Sequence, residues 1–369
     1  MTIRIRAAVA EAKAEPFQMQ ELELDEPRAD EVLVRIVACG VCQTDVHVWH
    51  QRLLTPLPIV LGHEGSGIVE RVGAAVTSVR PGDHVVLSYQ ACGQCQPCRQ
   101  AHGPYCDHQG VMNFSGTRLD GTIGVRRLPG STAPAVRGHF FGQSSFATYA
   151  LTTERNTVKV PSELPLDLLA PLGCGLQTGA GAVLNTFKMT AGETLAVFGV
   201  GAVGLAAIMA ASAISSGAII AVDVNESRLT LARELGATHA INPKHQDVAA
   251  QLRAITGRGV NYVFETSGRP EMLDHALKGL ATLGQIGFVA PGPQSVVELL
   301  KMAPGAHVRF IIQGDAVPQL FIPELISLHR AGRFPFERLV RFYPFEQINE
   351  AFADSAQGEV IKPILRMST

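Results

Sequence analysis

Short apolar runs over residues 3–9 and 32–38 predict strands, and the second, Val32 to Val37, is the clearer of the two. Between them Pro16 and Pro27 punctuate a polar stretch. A glycine turn at Gly40 then leads into a short helix that carries Gln43, Thr44, Asp45 and His47. From Ile59 to Val86 brief apolar runs alternate with Gly62, Gly65, Gly67, Gly73 and Gly82, the texture of a compact, mainly β region. Residues 107–138 carry little pattern, and the aromatic stretch from His139 to Tyr149 predicts a return to strand.

After Pro161 the pattern changes. A helix is expected over 166–172 and another over 179–187. From Glu193 strands and helices alternate: strands over 195–198, 219–222, 262–265, 285–289 and 308–312, with helices over 227–235, 248–255 and 271–280. This is the signature of an α/β doubly wound parallel sheet. A helix over 321–331 and a closing strand over 360–365 follow. The expected organisation is a catalytic domain over 1–173, a nucleotide domain over 174–312, and a return to the catalytic domain over 313–369.

A chain of 369 residues suits two cores better than one. With 46% apolar and 17% charged residues it can bury them well. A net charge of −2 and the absence of any basic stripe argue against nucleic acid as a partner. No apolar run has the roughly 18–20 residues that cross a bilayer, and the N-terminus shows no secretion signal, so a cytoplasmic setting is expected.

Cysteine usage sharpens this. Of the seven cysteines, Cys92, Cys95, Cys98 and Cys106 lie within fifteen residues of one another. Two residues between successive cysteines make poor disulfide geometry but a good metal knuckle, so the four thiolates are expected to close a tetrahedral, structural zinc site. The strand at 195–198 runs directly into Gly199, Val200, Gly201, Ala202, Val203 and Gly204, and then into an alanine-rich helix. In that context Gly199 permits a tight turn, Gly201 lets backbone approach a pyrophosphate, and Gly204 allows close helix–strand packing. The helix N-terminus at Ala202 and Val203 faces the phosphates with free N–H groups. Asp223, nineteen residues beyond Gly204, stands where an acid accepts hydrogen bonds from the adenosine ribose, which favours NAD over NADP. Arg228 can reach either ribose and tempers that preference.

The order of motifs points further. Gly40-Val41-Cys42-Gln43-Thr44-Asp45, Gly62-His63-Glu64-Gly65, the four-cysteine lobe, Gly173-Cys174-Gly175 with Thr178-Gly179, and the glycine turn follow one another. In this the chain resembles the zinc-dependent alcohol dehydrogenases of the medium-chain dehydrogenase/reductase family along nearly its whole length. It is most similar to the aryl-alcohol (benzyl alcohol) dehydrogenases and their terpenoid-alcohol relatives, through Phe140-Phe141-Gly142-Gln143-Ser144-Ser145-Phe146 and Phe321-Ile322-Pro323. The resemblance implies a Rossmann coenzyme domain beside a GroES-like catalytic domain. It implies a catalytic zinc on Cys42, His63 and Cys174, with Asp45 orienting His63 and Glu64 behind the metal. It further implies that Thr44 hydrogen-bonds the alcohol, His47 relays its proton, Thr178 packs on the nicotinamide, and Lys362 lies near the pyrophosphate. Gln43 stands where many relatives place a basic residue on that pyrophosphate. Cys39 is left for the core.

Phe140 and Phe141 suggest an aromatic-lined slot for benzylic or allylic primary alcohols and the matching aldehydes; Trp49 either lines the same slot or packs in the core. Benzyl, substituted benzyl and monoterpene alcohols remain equally open, as do a homodimer and a homotetramer. A zinc-free reductase of the same superfamily, or a non-catalytic nucleotide binder, would have no reason to keep Cys42, His63 and Cys174 together.

Overall fold

The computed structural model describes residues 2–290, 297–298 and 301–367. The chain forms two compact units: Met1–Cys174, Val317–Pro323 and Glu337–Thr369 make the first, Gly175–Ala316 and Glu324–Phe336 the second.

Among the described residues, the first unit holds a four-stranded and a seven-stranded sheet. The strand Glu31–Gly40 is central to the larger one, pairing antiparallel with Gly65–Val72, Tyr149–Thr153 and the closing strand Lys362–Arg366. Most of its residues are buried on both faces, which is why its sequence reads as a run and not as an alternation. In the smaller sheet Thr2–Ala10 pairs with Gln18–Asp25, register Thr2↔Asp25. That second strand replaces the polar link expected between Pro16 and Pro27. Its Leu22 and Leu24 are buried on one side, and Glu21 and Glu23 alternate with them.

The aromatic stretch before Tyr149 is not the strand expected. Phe140–Gly142 forms a 3-10 turn, and His139, Phe141 and Ser144 hold φ of 60°, 52° and 55°. A left-handed backbone cannot continue a ladder, so the chain wraps over the 61–62 segment instead. Ser145 N–H donates to the Gly62 carbonyl (2.8 Å) and Phe146 N–H to that of Leu61 (3.0 Å).

The second unit contains, among its described residues, a six-stranded parallel sheet in the spatial order His239–Ile241, Ile219–Val222, Leu195–Phe198, Val260–Glu265, Leu280–Phe288, His307–Phe310. Numbered along the chain, that order is 3-2-1-4-5-6, the doubly wound arrangement whose switch point lies beside the first strand. Ala202–Ala213 follows that strand and is apolar nearly all round, as a helix covered on several sides must be. Glu226–Glu234 and Val248–Thr256 start at side-chain caps, Asn225 accepting from Ser227 N–H (3.0 Å) and Asp247 from Ala250 N–H (3.1 Å).

Three divisions differ from the expected domain limits, the smallest being residues 313–316, which group with the second unit. Cys174 groups with the first unit, because the Ser88 hydroxyl holds the preceding Gly173 carbonyl at 2.7 Å. Residues 324–336 group with the second unit, where the Arg333 guanidinium donates to the Ala213 carbonyl.

Candidate active site

The segment at residues 61–65 is built around one imidazole. Gly62 has φ +89°, and a Cβ there would meet the Phe146 backbone nitrogen at 2.5 Å, so only glycine fits. His63 is fully buried. Its Nδ1 lies 3.0 Å from Asp45 Oδ1, and the buried Asp45 also accepts the N–H groups of Gly62 (3.0 Å) and Cys42 (3.1 Å). A carboxylate at Nδ1 fixes the proton there and leaves the Nε2 lone pair free. Nε2 is buried and has no hydrogen-bond partner.

The ligating atoms of Cys42, His63, Glu64 and Cys174 lie within 4.8 Å of one another. Cys42 sits at the start of the helix Gln43–Trp49, where free N–H groups favour a thiolate. A hydrogen bond from Cys174, and then the charge of His63, hold the Cys42 thiol well below its ordinary range despite burial. Burial pulls His63 down, but Asp45 and Cys42 outweigh it and raise the imidazole well above its usual value. Two sulfurs and one imidazole nitrogen gathered in a buried pocket suit zinc, which on binding displaces the proton they otherwise hold.

Glu64 is the fourth member. Its carboxylate oxygens lie 3.0 and 2.8 Å from Lys362 Nζ, which also donates to the Val41 carbonyl (3.1 Å). Burial pushes the Glu64 carboxyl up to about 7, with Lys362 working against that rise. A Cβ on Gly40 would strike Glu64 Oε2 at 2.1 Å, so that glycine keeps the carboxylate's space clear. Lys362 was expected near a pyrophosphate; it is instead 2% exposed and turned onto Glu64, because a buried ammonium needs its charge answered close by.

Thr44 and His47 share one face of the helix Gln43–Trp49, three residues apart. Thr44 Oγ1 is 3.9 Å from Cys42 Sγ. His47 Nδ1 is buried without a hydrogen-bond partner, and burial together with Arg52 keeps this imidazole below its usual pKa. Gln43 opens the same helix. Phe141 stacks on the His63 ring at 4.5 Å and Phe140 meets it edge-on at 5.5 Å; both phenylalanines are buried. Both rings thus brace the imidazole. Trp49 stacks on Phe17 (5.6 Å), meets Phe352 edge-on and donates its indole N–H to the Glu15 carbonyl (2.7 Å), which is the packing alternative. Cys39 is in the core.

The second cluster joins Cys92, Cys95, Cys98 and Cys106, also within 4.8 Å and free of disulfides. Burial opposes ionisation of Cys92, but N–H groups of Gln94 and Cys95, both at 3.4 Å, bring that thiol to about 6. Such backbone donors suit thiolates around a structural zinc.

In the second unit Gly199 takes φ +85° and its carbonyl accepts from Thr266 Oγ1 (2.7 Å). A Cβ on Gly204 would meet the Gly199 carbonyl oxygen at 2.1 Å, whereas one on Gly201 would meet nothing within 4 Å. Helix packing therefore requires the first contact, and open space lies at the second, before the helix N-terminus of Ala202 and Val203. Asp223 directly follows the neighbouring strand Ile219–Val222 and turns toward this loop, accepting from Val200 N–H (2.8 Å) and Asn225 N–H (2.9 Å). Arg228 Nε is buried without a hydrogen-bond partner. Thr178 lies in the helix Gly175–Gly181 and is 8% exposed.

One residue that bears on the site escaped the sequence reading in this role. Gln143, noticed there only as part of an aromatic stretch, donates to the carbonyl of His63 (3.0 Å).

Comparisons agree with this architecture. Residues 28–162 match the model of the alcohol dehydrogenase GroES-like domain, and residues 202–325 that of the zinc-binding dehydrogenases. Geraniol dehydrogenase of Castellaniella defragrans is 44% identical over 371 residues, covering 98% of each chain. An alcohol dehydrogenase zinc-binding domain protein from Burkholderia ambifaria has a solved structure with TM-score 0.95 and 50% identity, covering 100% of both chains. Benzyl alcohol dehydrogenase from Acinetobacter calcoaceticus gives TM-score 0.94 and 46% identity over 99% of this chain and 100% of its own. The chain belongs to the zinc-dependent medium-chain alcohol dehydrogenase family, with a GroES-like domain and a Rossmann nucleotide domain.

Proposed function

We propose that the protein interconverts primary benzylic or allylic terpenoid alcohols and their aldehydes, using NAD and two zinc ions per chain. The observation that carries this reading is the gathering of Cys42, His63 and Cys174 around the unpartnered Nε2 of His63. The relatives named for geraniol and for benzyl alcohol support the substrate class.

When bound, zinc acts as a Lewis acid that eases loss of a hydroxyl proton, and NAD accepts hydride. Asp45 keeps the His63 proton on Nδ1, so Nε2 stays a donor of electrons. The Thr44 hydroxyl hydrogen-bonds the alcohol and hands on its own proton as it takes the alcohol's. His47, neutral at pH 7 because its pKa lies below the usual value, carries that proton onward from the same helix face. Asp223 accepts hydrogen bonds from the adenosine ribose and repels a 2′-phosphate, and the Gly201 backbone and helix N-terminus hold the pyrophosphate. Gln43 adds no charge there, so cofactor release is faster than in a Gln43→Arg variant. Thr178 packs on the nicotinamide. The second zinc clasps the Cys92–Cys106 lobe, which lacks a core of its own.

No described helix is long and apolar enough to cross a membrane. None of the seven cysteines is in a disulfide, which suits a reducing cytoplasm. Among the described residues His307–Phe310 is the outermost strand of its end of the sheet, and a second copy is expected to join there to give a homodimer or homotetramer.

A panel of benzyl, substituted benzyl, geranyl and aliphatic alcohols assayed with NAD and NADP, beside metal analysis, tests the proposal. Turnover of aromatic or allylic alcohols with NAD and two zincs per chain is expected. One zinc, or no turnover on any alcohol, overturns it.

A further inference from the structure

We infer that Gln143 is a positioning residue for the catalytic metal: through Ser88 it brackets the backbones that present His63 and Cys174. The inference rests on the zinc reading above, and its basis is a set of contacts joining two motifs far apart in sequence.

The Gln143 amide is 2% exposed and engaged on every side. Nε2 donates to the carbonyls of His63 and Ser88, each at 3.0 Å. Oε1 accepts from Gly65 N–H (3.1 Å) and from Ser145 Oγ (2.7 Å). One side chain thus grips both sides of Glu64 in the backbone of residues 63–65, and ties them to Ser88. Ser88 Oγ in turn donates to the carbonyl of Gly173, the residue before Cys174, at 2.7 Å. A Cβ on Gly173 would meet the Leu87 carbonyl oxygen at 2.0 Å, so the Cys174 segment lies directly against the Leu87–Ser88 backbone.

The surroundings are shaped for this amide. A Cβ on Gly65 would lie 2.3 Å from Ser145 Oγ and 3.0 Å from Gln143 Oε1. The turn carrying Gln143 holds His139, Phe141 and Ser144 in the left-handed region, an arrangement that non-glycine residues adopt only under constraint. Surrounding bonds impose it: Ser144 Oγ donates to the Val60 carbonyl (2.6 Å), and Asn156 Nδ2 to the carbonyls of Phe141 (3.3 Å) and Gly142 (3.1 Å). A strained turn fixed from both ends sets the Gln143 side chain between two ligand-bearing segments, and outer partners of metal ligands commonly govern affinity by about 10–100-fold.

The test follows zinc release from the holoenzyme to a chromophoric chelator, with the four-cysteine site as internal control. It is paired with the visible spectrum of enzyme carrying cobalt(II) at the catalytic site. Gln143→Met keeps the volume and removes all four hydrogen bonds. Ser88→Ala leaves Gln143 in place and cuts the bond to Gly173. Gln143→Met is expected to speed release of one zinc about 10–100-fold and to shift the cobalt d–d bands, with the second zinc unchanged. Ser88→Ala is expected to do the same by a smaller factor, and it decides alone should Gln143→Met not fold. Parent-like release and spectrum overturn the inference, as does equal acceleration of both zincs, which is general loosening. A parent protein holding only one zinc would instead remove the reading of the site itself.

Discussion

Lys362 Nζ sits 2.8 Å from Glu64 Oε2 with both side chains buried, so the ammonium answers the carboxylate behind the ligand cluster. Taking one partner from a buried pair strands the other charge, at a cost of about 3–5 kcal/mol. Lys362→Met is therefore expected to lower unfolding free energy by that amount in denaturant titrations. Its NADH dissociation constant is expected to stay near the parent value. A large loss of NADH affinity with unchanged stability would return Lys362 to the pyrophosphate.

Asp45 ties His63 Nδ1 to the N–H groups of Gly62 and Cys42. Asp45→Asn keeps the shape but no longer fixes the imidazole tautomer. Zinc affinity at the catalytic site is expected to fall about 10–100-fold in competition with a chelator, while the four-cysteine site holds its metal.

Thr44→Val removes the hydroxyl that takes the alcohol's proton and changes little volume. Alcohol oxidation is expected to vanish while NADH binding, followed by fluorescence, persists. Near-normal turnover would remove Thr44 from the relay.

His139 supplies a pH dependence. Burial, and then the positive charge of Arg118, bring its imidazole down to about 4 in the folded protein, against roughly 6.5 when unfolded. Between those values the unfolded chain binds the extra proton, so stability rises with pH across the window and is lost as pH falls from about 6.5 to 4. The loss amounts to roughly 3 kcal/mol. Because residue 139 has φ +60°, asparagine is the substitution the backbone tolerates best. His139→Asn is expected to flatten melting temperature against pH across that interval.

Much of the fold could be read from pattern. The strands at 195–198 and 219–222 fall at their expected limits, since central parallel strands are unbroken apolar runs bounded by turn residues. His239–Ile241, three residues at a sheet edge, and Val340–Pro344, whose burial is mixed and follows no run or clean alternation, carry no such signal. Gln18–Asp25 was hidden by the prolines on either side, although its Glu-Leu-Glu-Leu alternation was there to be used. The four-cysteine lobe is legible because its ligands are local. Cys42, His63 and Cys174 are not local, and only family resemblance joined them. The stacking of Phe141 on His63 depends on a left-handed turn, which no count of apolar residues foretells.

Residue 65 has no room for a side chain: a methyl group there would strike Ser145 Oγ at 2.3 Å and press on Gln143 Oε1 at 3.0 Å. Positions 65, 143 and 145 therefore share one small volume, and a change at one is felt at the others. Chimeras that exchange only one of the two segments carrying them with a relative lacking the match are expected to release the catalytic zinc faster than the parent.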